Sequence, residues 1–340
     1  MSAAPSKVRV AVVGCGVFGR HHARVYHHLQ QDGAAVELIG VLDTQAERGE
    51  AVAREFGVQA FSSLAQLKGR IDAASVTVPT VHHLQVAREL MGSGADVLIE
   101  KPVAASLPET DELLGLAEHH KRVAQVGHLE RFNPAVLATV PLVNQPMFFE
   151  VHRLSVFTPR SLDVDVVMDL MIHDLDVVLS LVKVPVGEIR AVGLAVISNK
   201  VDIANVRIEF ENGCVANFTA SRVSTEKVRK LRFFQPHQYI SIDYGRQDVI
   251  SIRVDERAAA ALISGQPLPS APVPGIAIDK PKVELREPLR SEIESFLDSV
   301  RNRTKPQVSL EDGRRALDLA LKINAAIERH HSRAGLASIG

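Results

Sequence analysis

The chain has 340 residues, 46% hydrophobic and 23% charged, with a formal net charge of −1. That length holds two domains with separate cores, and the composition is that of an ordinary globular protein. Near-neutral charge removes any electrostatic case for nucleic acid or an anionic membrane as partner, and no apolar run approaches the roughly 18 residues of a membrane span.

Cys15 and Cys214 lie far apart and outside any zinc-ligand spacing, so neither a disulfide framework nor a metal site is expected. The first seven residues hold no apolar leader stretch, which suggests a cytoplasmic protein.

Val8–Val13 is a β-branched run ending in glycine and predicts a buried parallel strand. A helical pattern runs from Gly19 to Gln30, a strand from Val36 to Leu42, and a helix from Gln45 to Phe56 that Gly57 stops. Strands are predicted at Ile71–Val78, Asp96–Glu100 and Val123–Val126, with helices at Val81–Met91 and Pro108–His120 between them. This alternation implies an amino-terminal Rossmann domain, a doubly wound parallel α/β sheet.

The pattern changes after about Arg131. Met147–Val156, Glu188–Ile197, Val201–Glu211, Cys214–Arg222 and Lys230–Ile242 read as longer strands, with Asn212-Gly213 as a hairpin turn. They predict a carboxy-terminal α/β domain with a large, mostly antiparallel open sheet. Pro267–Pro274 reads as a surface loop, and Leu289–Arg301 and Leu310–His330 as amphipathic helices. The expected division is 1–127 for nucleotide binding and 128–340 for substrate binding and oligomerisation, with the last helix a candidate to pack back on the first domain.

Gly14-Cys15-Gly16-Val17-Phe18-Gly19 follows a strand and opens a helix, the context a dinucleotide cradle requires. One glycine makes the turn, one admits the pyrophosphate, and one lets helix and strand pack closely. Asp43 ends the second strand, 24 residues past Gly19, where a carboxylate accepts from the adenosine ribose. Its charge repels a 2′-phosphate, so NAD is expected over NADP. The alternative is a structural glycine turn with a solvated Asp43. Val78-Pro79-Thr80 and His83 follow the next strand and join the cofactor-binding set, the alternative for Val78–Thr80 being a plain proline turn.

Glu100, Lys101 and Pro102 close the fourth predicted strand, and Glu100 and Lys101 are candidate cofactor contacts. A lysine there can bond a substrate hydroxyl and stabilise a developing alkoxide. It can equally be an exposed lysine paired with Glu100, and the X-Pro bond admits the cis form. Asp169 and His173 stand four apart in an apolar run and share a helix face. Burying a carboxylate and an imidazole needs a reason. Proton transfer by His173 supported by Asp169 is one; a core or capping network including Asp174 and Asp176 is the other.

Taken together these motifs resemble the Gfo/Idh/MocA oxidoreductases over nearly the whole chain, including Pro306-x-Val308-Ser309 in the tail. The resemblance implies substrate-binding and proton-transfer roles for Lys101, Asp169 and His173, and homodimers or homotetramers built through the carboxy-terminal sheet. Residues 127–134 and 168–176 look like the subgroup oxidising the 3-hydroxyl of UDP-N-acetylglucosamine or related UDP-sugars, a step toward 3-amino sugars of lipid A or other surface glycans. Val166-Val167 replaces the glycine pair usual before the Asp–His signature. For such a sugar-nucleotide substrate, Arg131, Arg153 and Arg160 are candidates for the diphosphate, or else surface ion-pair residues. His128 and Asn133 are candidates for the sugar, or else turn residues before Pro134. An inositol or free-sugar dehydrogenase and a non-catalytic NAD-binding regulator are the competing functions.

Overall fold

Strands of small and β-branched residues, buried on both faces, build the first sheet. The computed structural model describes residues 7–158, 164–254, 264 and 276–336. The chain divides into two compact units: residues up to Phe132 with Glu287–Leu317, and Asn133–Arg286 with the residues from Asp318 on.

The first unit carries β1 (Val8–Val13), α1 (Val17–Gln31), β2 (Val36–Leu42), α2 (Ala46–Phe56), β3 (Gln59–Phe61), β4 (Ala73–Val76), α3 (His83–Gly92), β5 (Asp96–Glu100), α4 (Leu107–His119) and β6 (Ala124–Gly127). All six strands are parallel, in the order β3-β2-β1-β4-β5-β6. The order reverses beside β1, which opens a crevice at the strands' carboxyl ends. Val10, Val12, Ala73, Val97, Leu98 and Ile99 are fully buried. The helix Pro288–Asn302 belongs to this unit and packs Ile293, Phe296 and Leu297 into the α1 side of its core.

Helix α1 begins at Val17, two residues before the predicted start. The turn ends at Gly16, which is extended and caps the helix, so Gly19 lies inside it. Strand β3 is three residues long and too short to show a period.

The second unit holds an eight-stranded sheet, in the order β14-β13-β12-β11-β7-β10-β9-β8. Its strands are β7 (Phe148–Val156), β8 (Val186–Leu194), β9 (Ile203–Phe210), β10 (Val215–Ser224), β11 (Val228–Gln235), β12 (Gln238–Asp243), β13 (Asp248–Val254) and β14 (Ile276–Asp279). Only β7 and β10 pair in parallel. The Asn212-Gly213 hairpin forms, with Gly213 at φ 80°.

The single strand predicted over Lys230–Ile242 is two, β11 and β12. Pro236 and His237 turn the chain, and His237 takes the left-handed conformation at φ 60°. Glycine or asparagine usually fills that position, so the turn carries no ordinary signature. The Pro267–Pro274 loop expectation lies outside the described residues.

Candidate active site

The glycine turn between β1 and α1 leaves room for a ligand at one of its three glycines. A Cβ on Gly14, whose φ is 97°, would lie 2.7 Å from the Thr77 carbonyl, and one on Gly19 1.7 Å from Gly14 O. Those two glycines serve the protein's own packing. A Cβ on Gly16 would meet nothing within 4 Å, so its open side is where a pyrophosphate can approach. Thr77 Oγ1 donates to Gly14 O at 2.6 Å and fixes the turn.

Gly14, Gly16, Val17, Phe18, Asp43, Val78 and Pro79 all line one cavity of about 730 Å³, together with Gln45, Arg48, Ser62, Ser63, Thr77 and His82. Thr80 opens the short turn just beyond Pro79. These residues fit an NAD molecule: glycine backbone and a helix N-terminus for the phosphates, a carboxylate for the ribose. Asp43 is not a free surface acid. Its Oδ2 accepts from Cys15 N at 2.7 Å and its Oδ1 from Gln45 N at 2.8 Å. Arg48 Nη1 stands 3.8 Å from Oδ2 and places a cation beside this carboxylate.

His83, a candidate cofactor contact, is held by two backbone carbonyls. It is buried, with Nδ1 3.0 Å from Pro102 O and Nε2 2.9 Å from Val78 O. Burial holds its pKa below the usual imidazole range, against the opposing pull of those carbonyls and of Glu100. His83 therefore ties the two loops after β4 and β5 together, and its neighbour His82 faces the cavity.

Lys101 follows β5 and is half-buried, and the Lys101–Pro102 bond is cis. Glu100 points inward: its Oε1 lies 2.9 Å from His22 Nε2, and its Oε2 accepts weakly from Lys101 N at 3.3 Å. Burial opposes ionisation of Glu100, but the bond to His22, helped by the charges of Lys101 and His83, holds its pKa below the usual range. His22 Nδ1 meets Ser75 Oγ at 3.0 Å, which in turn meets Tyr26 OH at 3.0 Å.

In the second unit, Val167–Met171 form one π-helical turn that runs into α6 (Ile172–Val182). Such turns recur at functional sites, where the wider pitch re-aims side chains. Asp165 starts the turn, its Oδ1 accepting from Val167 N and Met168 N at 2.9 Å each. Asp169 and His173 are both half-buried.

The next acid, Asp174, is fully buried. Arg153 meets it through two bonds, Nε to Oδ2 at 2.6 Å and Nη2 to Oδ1 at 2.9 Å, and stacks over Tyr244 at 5.3 Å. Arg153 is 4% exposed. It is not a surface ion pair.

Asn133 also has a local role. Its Oδ1 accepts from Ala135 N and its Nδ2 donates to Tyr244 O, each at 3.1 Å. It caps the short helix α5 (Pro134–Thr139). His128 is buried at the end of β6. Arg131 Nη2 donates to Gln307 O at 3.3 Å in the first unit. Arg160 lies outside the described residues.

Residues 8–128 match the oxidoreductase family with an NAD-binding Rossmann fold, and residues 146–237 match the GFO/IDH/MocA C-terminal domain. The chain belongs to the Gfo/Idh/MocA oxidoreductases. It is 36% identical over 322 residues to UDP-N-acetylglucosamine 3-dehydrogenase of Acidithiobacillus ferrooxidans, covering 94% of this chain and 97% of that one. A solved structure of that enzyme superposes with a TM-score of 0.85, covering 95% and 98% of the two chains at 34% identity. Levoglucosan dehydrogenase with NADH and levoglucosan shares the fold at a TM-score of 0.82 and 17% identity, covering 95% and 98%.

As a Gfo/Idh/MocA oxidoreductase the chain uses NAD, and the cavity beside Gly16 is where this chain has room for it. Sequence reading missed His22, Arg48 and Thr77. Arg48 had a signal, since it lies one helical turn into the helix that follows Asp43. His22 had none, because its partners Ser75 and Glu100 lie 53 and 78 residues away.

Proposed function

We propose that this oxidoreductase oxidises the 3-hydroxyl of UDP-N-acetylglucosamine, or of a related UDP-sugar, to the 3-keto sugar. The observation that carries the reading is the near full-length, 36% identity to an enzyme of that activity. It is supported by the motif residues Lys101, Asp169 and His173, which a nucleotide-bound regulator does not need. NAD, when bound, supplies the hydride acceptor. The chain's own residues then handle the proton and the charge.

His173 takes the hydroxyl proton on its imidazole. Asp169 supports it by favouring the protonated ring. The Lys101 ammonium anchors the hydroxyl and stabilises negative charge on the oxygen as the proton leaves. Arg131 and Arg160 remain the diphosphate candidates, and His128 shapes the sugar end. The 3-keto product is a substrate for transamination to a 3-amino sugar, the step that feeds lipid A or another surface glycan. The working form is a homodimer or homotetramer built on the second unit's sheet.

The test is NADH formation with UDP-N-acetylglucosamine, other UDP-sugars, inositols and free sugars. UDP-N-acetylglucosamine should give the highest kcat/KM, and a preference for an inositol would overturn the substrate. His173→Ala and Lys101→Ala should each lower kcat about 10²-fold or more while NAD still binds. The acidic limb of the pH–rate profile should vanish in His173→Ala, and a limb that survives unchanged assigns the base elsewhere.

A further inference from the structure

Glu292, on the Pro288–Asn302 helix, is fully buried, and neither of its carboxyl oxygens has a hydrogen-bond partner among the described residues. One ligand atom each of His22, Glu100 and Glu292 lies within 4.8 Å of the others. All three belong to the first unit. The nearby Gln125 donates through Nε2 to Glu292 O at 3.1 Å, and its own Oε1 is another buried acceptor without a partner.

The pocket is thus short of donors. Two ionised carboxylates this close in a dry interior repel each other strongly. A proton on Glu292 removes that charge and turns one of the orphan acceptors into a donor.

We propose that Glu292 holds a proton and acts as a positioning residue for Lys101: as a neutral acid within 4.8 Å of Glu100 it sets no second charge against that carboxylate, leaves the Glu100–His22 pair in place, and so fixes the Glu100-Lys101-Pro102 turn. The proposal rests on the reading of Lys101 as the substrate anchor. His22 on α1 and Glu100 at the end of β5 lie closest to Glu292, Gln125 on β6 donates to its carbonyl, and its charge is felt by Tyr26 on α1; Ser75 borders His22, and Lys101 and His83 act on Glu100.

Burial, reinforced by the charge of Glu100, pushes Glu292 well above its ordinary 4.5. A raised acid contributes stability that is fully present below 4.5 and is lost as pH rises through the shifted value. Glu292→Gln keeps the shape and a donor and cannot ionise. Its Tm relative to wild type should therefore rise with pH above 4.5 and level off once the shifted value is passed.

Glu292→Leu should lower kcat about tenfold to 10²-fold with the Kd for NAD unchanged, and Glu292→Gln should restore it. If the Leu variant fails to fold, the Tm comparison with Gln still decides. A Tm difference that is flat with pH, or a tenfold kcat loss in Glu292→Gln, overturns the protonated state. So does a stoichiometric divalent metal in the purified protein that Glu292→Gln abolishes. Full kcat in Lys101→Ala overturns the anchor reading and the positioning role with it, whereas the Tm comparison still reports the proton.

Discussion

Asp43 carries two duties at once, and a substitution there separates them. Its carboxylate holds the amides of Cys15 and Gln45, so it shapes the glycine turn as well as lining the cavity. Asp43→Ser should cost stability, about 1–3 kcal/mol for two amides that lose a charged acceptor, read as a lower Tm. The same change leaves Arg48 without its nearby acid. NADP affinity should then rise toward that of NAD, and Asp43→Ser combined with Arg48→Ala should lose the gain. Equal wild-type affinity for the two cofactors, measured by fluorescence titration, would remove Asp43 from the choice. The residues legible in the sequence were those whose spacing is local: Gly14, Gly16, Gly19 and Asp43. The surface ion-pair alternative for Arg153 misled because charge was read without burial. A buried arginine and a surface arginine look alike until the partner acid is located, and Asp174 is 21 residues away.

At the scale of the element, the Arg153–Asp174 pair fastens α6 to β7. Both side chains are nearly buried, at 5% and 2% exposure. Arg153→Ala leaves a carboxylate buried without its cation and should cost about 3–5 kcal/mol, seen as a large fall in Tm. Replacing both by apolar residues of similar volume, Arg153→Met with Asp174→Leu, should cost much less, because no charge is stranded. A small loss in the single variant would mean that water reaches Asp174. The parallel sheet was legible because its strands are continuous apolar runs separated by helices. The second sheet was legible from its β8 edge as far as β12. Strands β13 and β14 were missed: β13 interleaves Asp248 and Arg253 with its apolar residues, and β14 is four residues long. The Pro236-His237 turn hid the boundary between β11 and β12 because a histidine occupies the left-handed position.

On the scale of the whole molecule, one face of the second sheet bears an apolar ladder. The strand register aligns Phe148, Phe234, Tyr239, Ile252 and Ile278 across five strands. Phe148 stacks on Phe234 at 5.6 Å, and Phe234 and Ile278 are 38% and 66% exposed. Exposed apolar rows of this kind mark interaction surfaces, which supports the proposed homo-oligomer. Phe234→Glu with Ile278→Arg should reduce the assembly by one step in light scattering, from tetramer to dimer or dimer to monomer. An unchanged mass would place the interface elsewhere.

The two cysteines give this protein a built-in clock. Cys15 sits in the glycine turn and Cys214 in the β9–β10 hairpin connection, and burial pushes their thiols up to about 12 and about 11. Folded, they expose almost no thiolate at neutral pH, so alkylating reagents and air oxidation find little to attack. Label uptake therefore records opening events. Because Cys15 N is held by the Asp43 carboxylate, its labelling follows the glycine turn, whereas Cys214 follows the second sheet. One pulse of iodoacetamide, read by peptide mass, times the two units separately in a single tube.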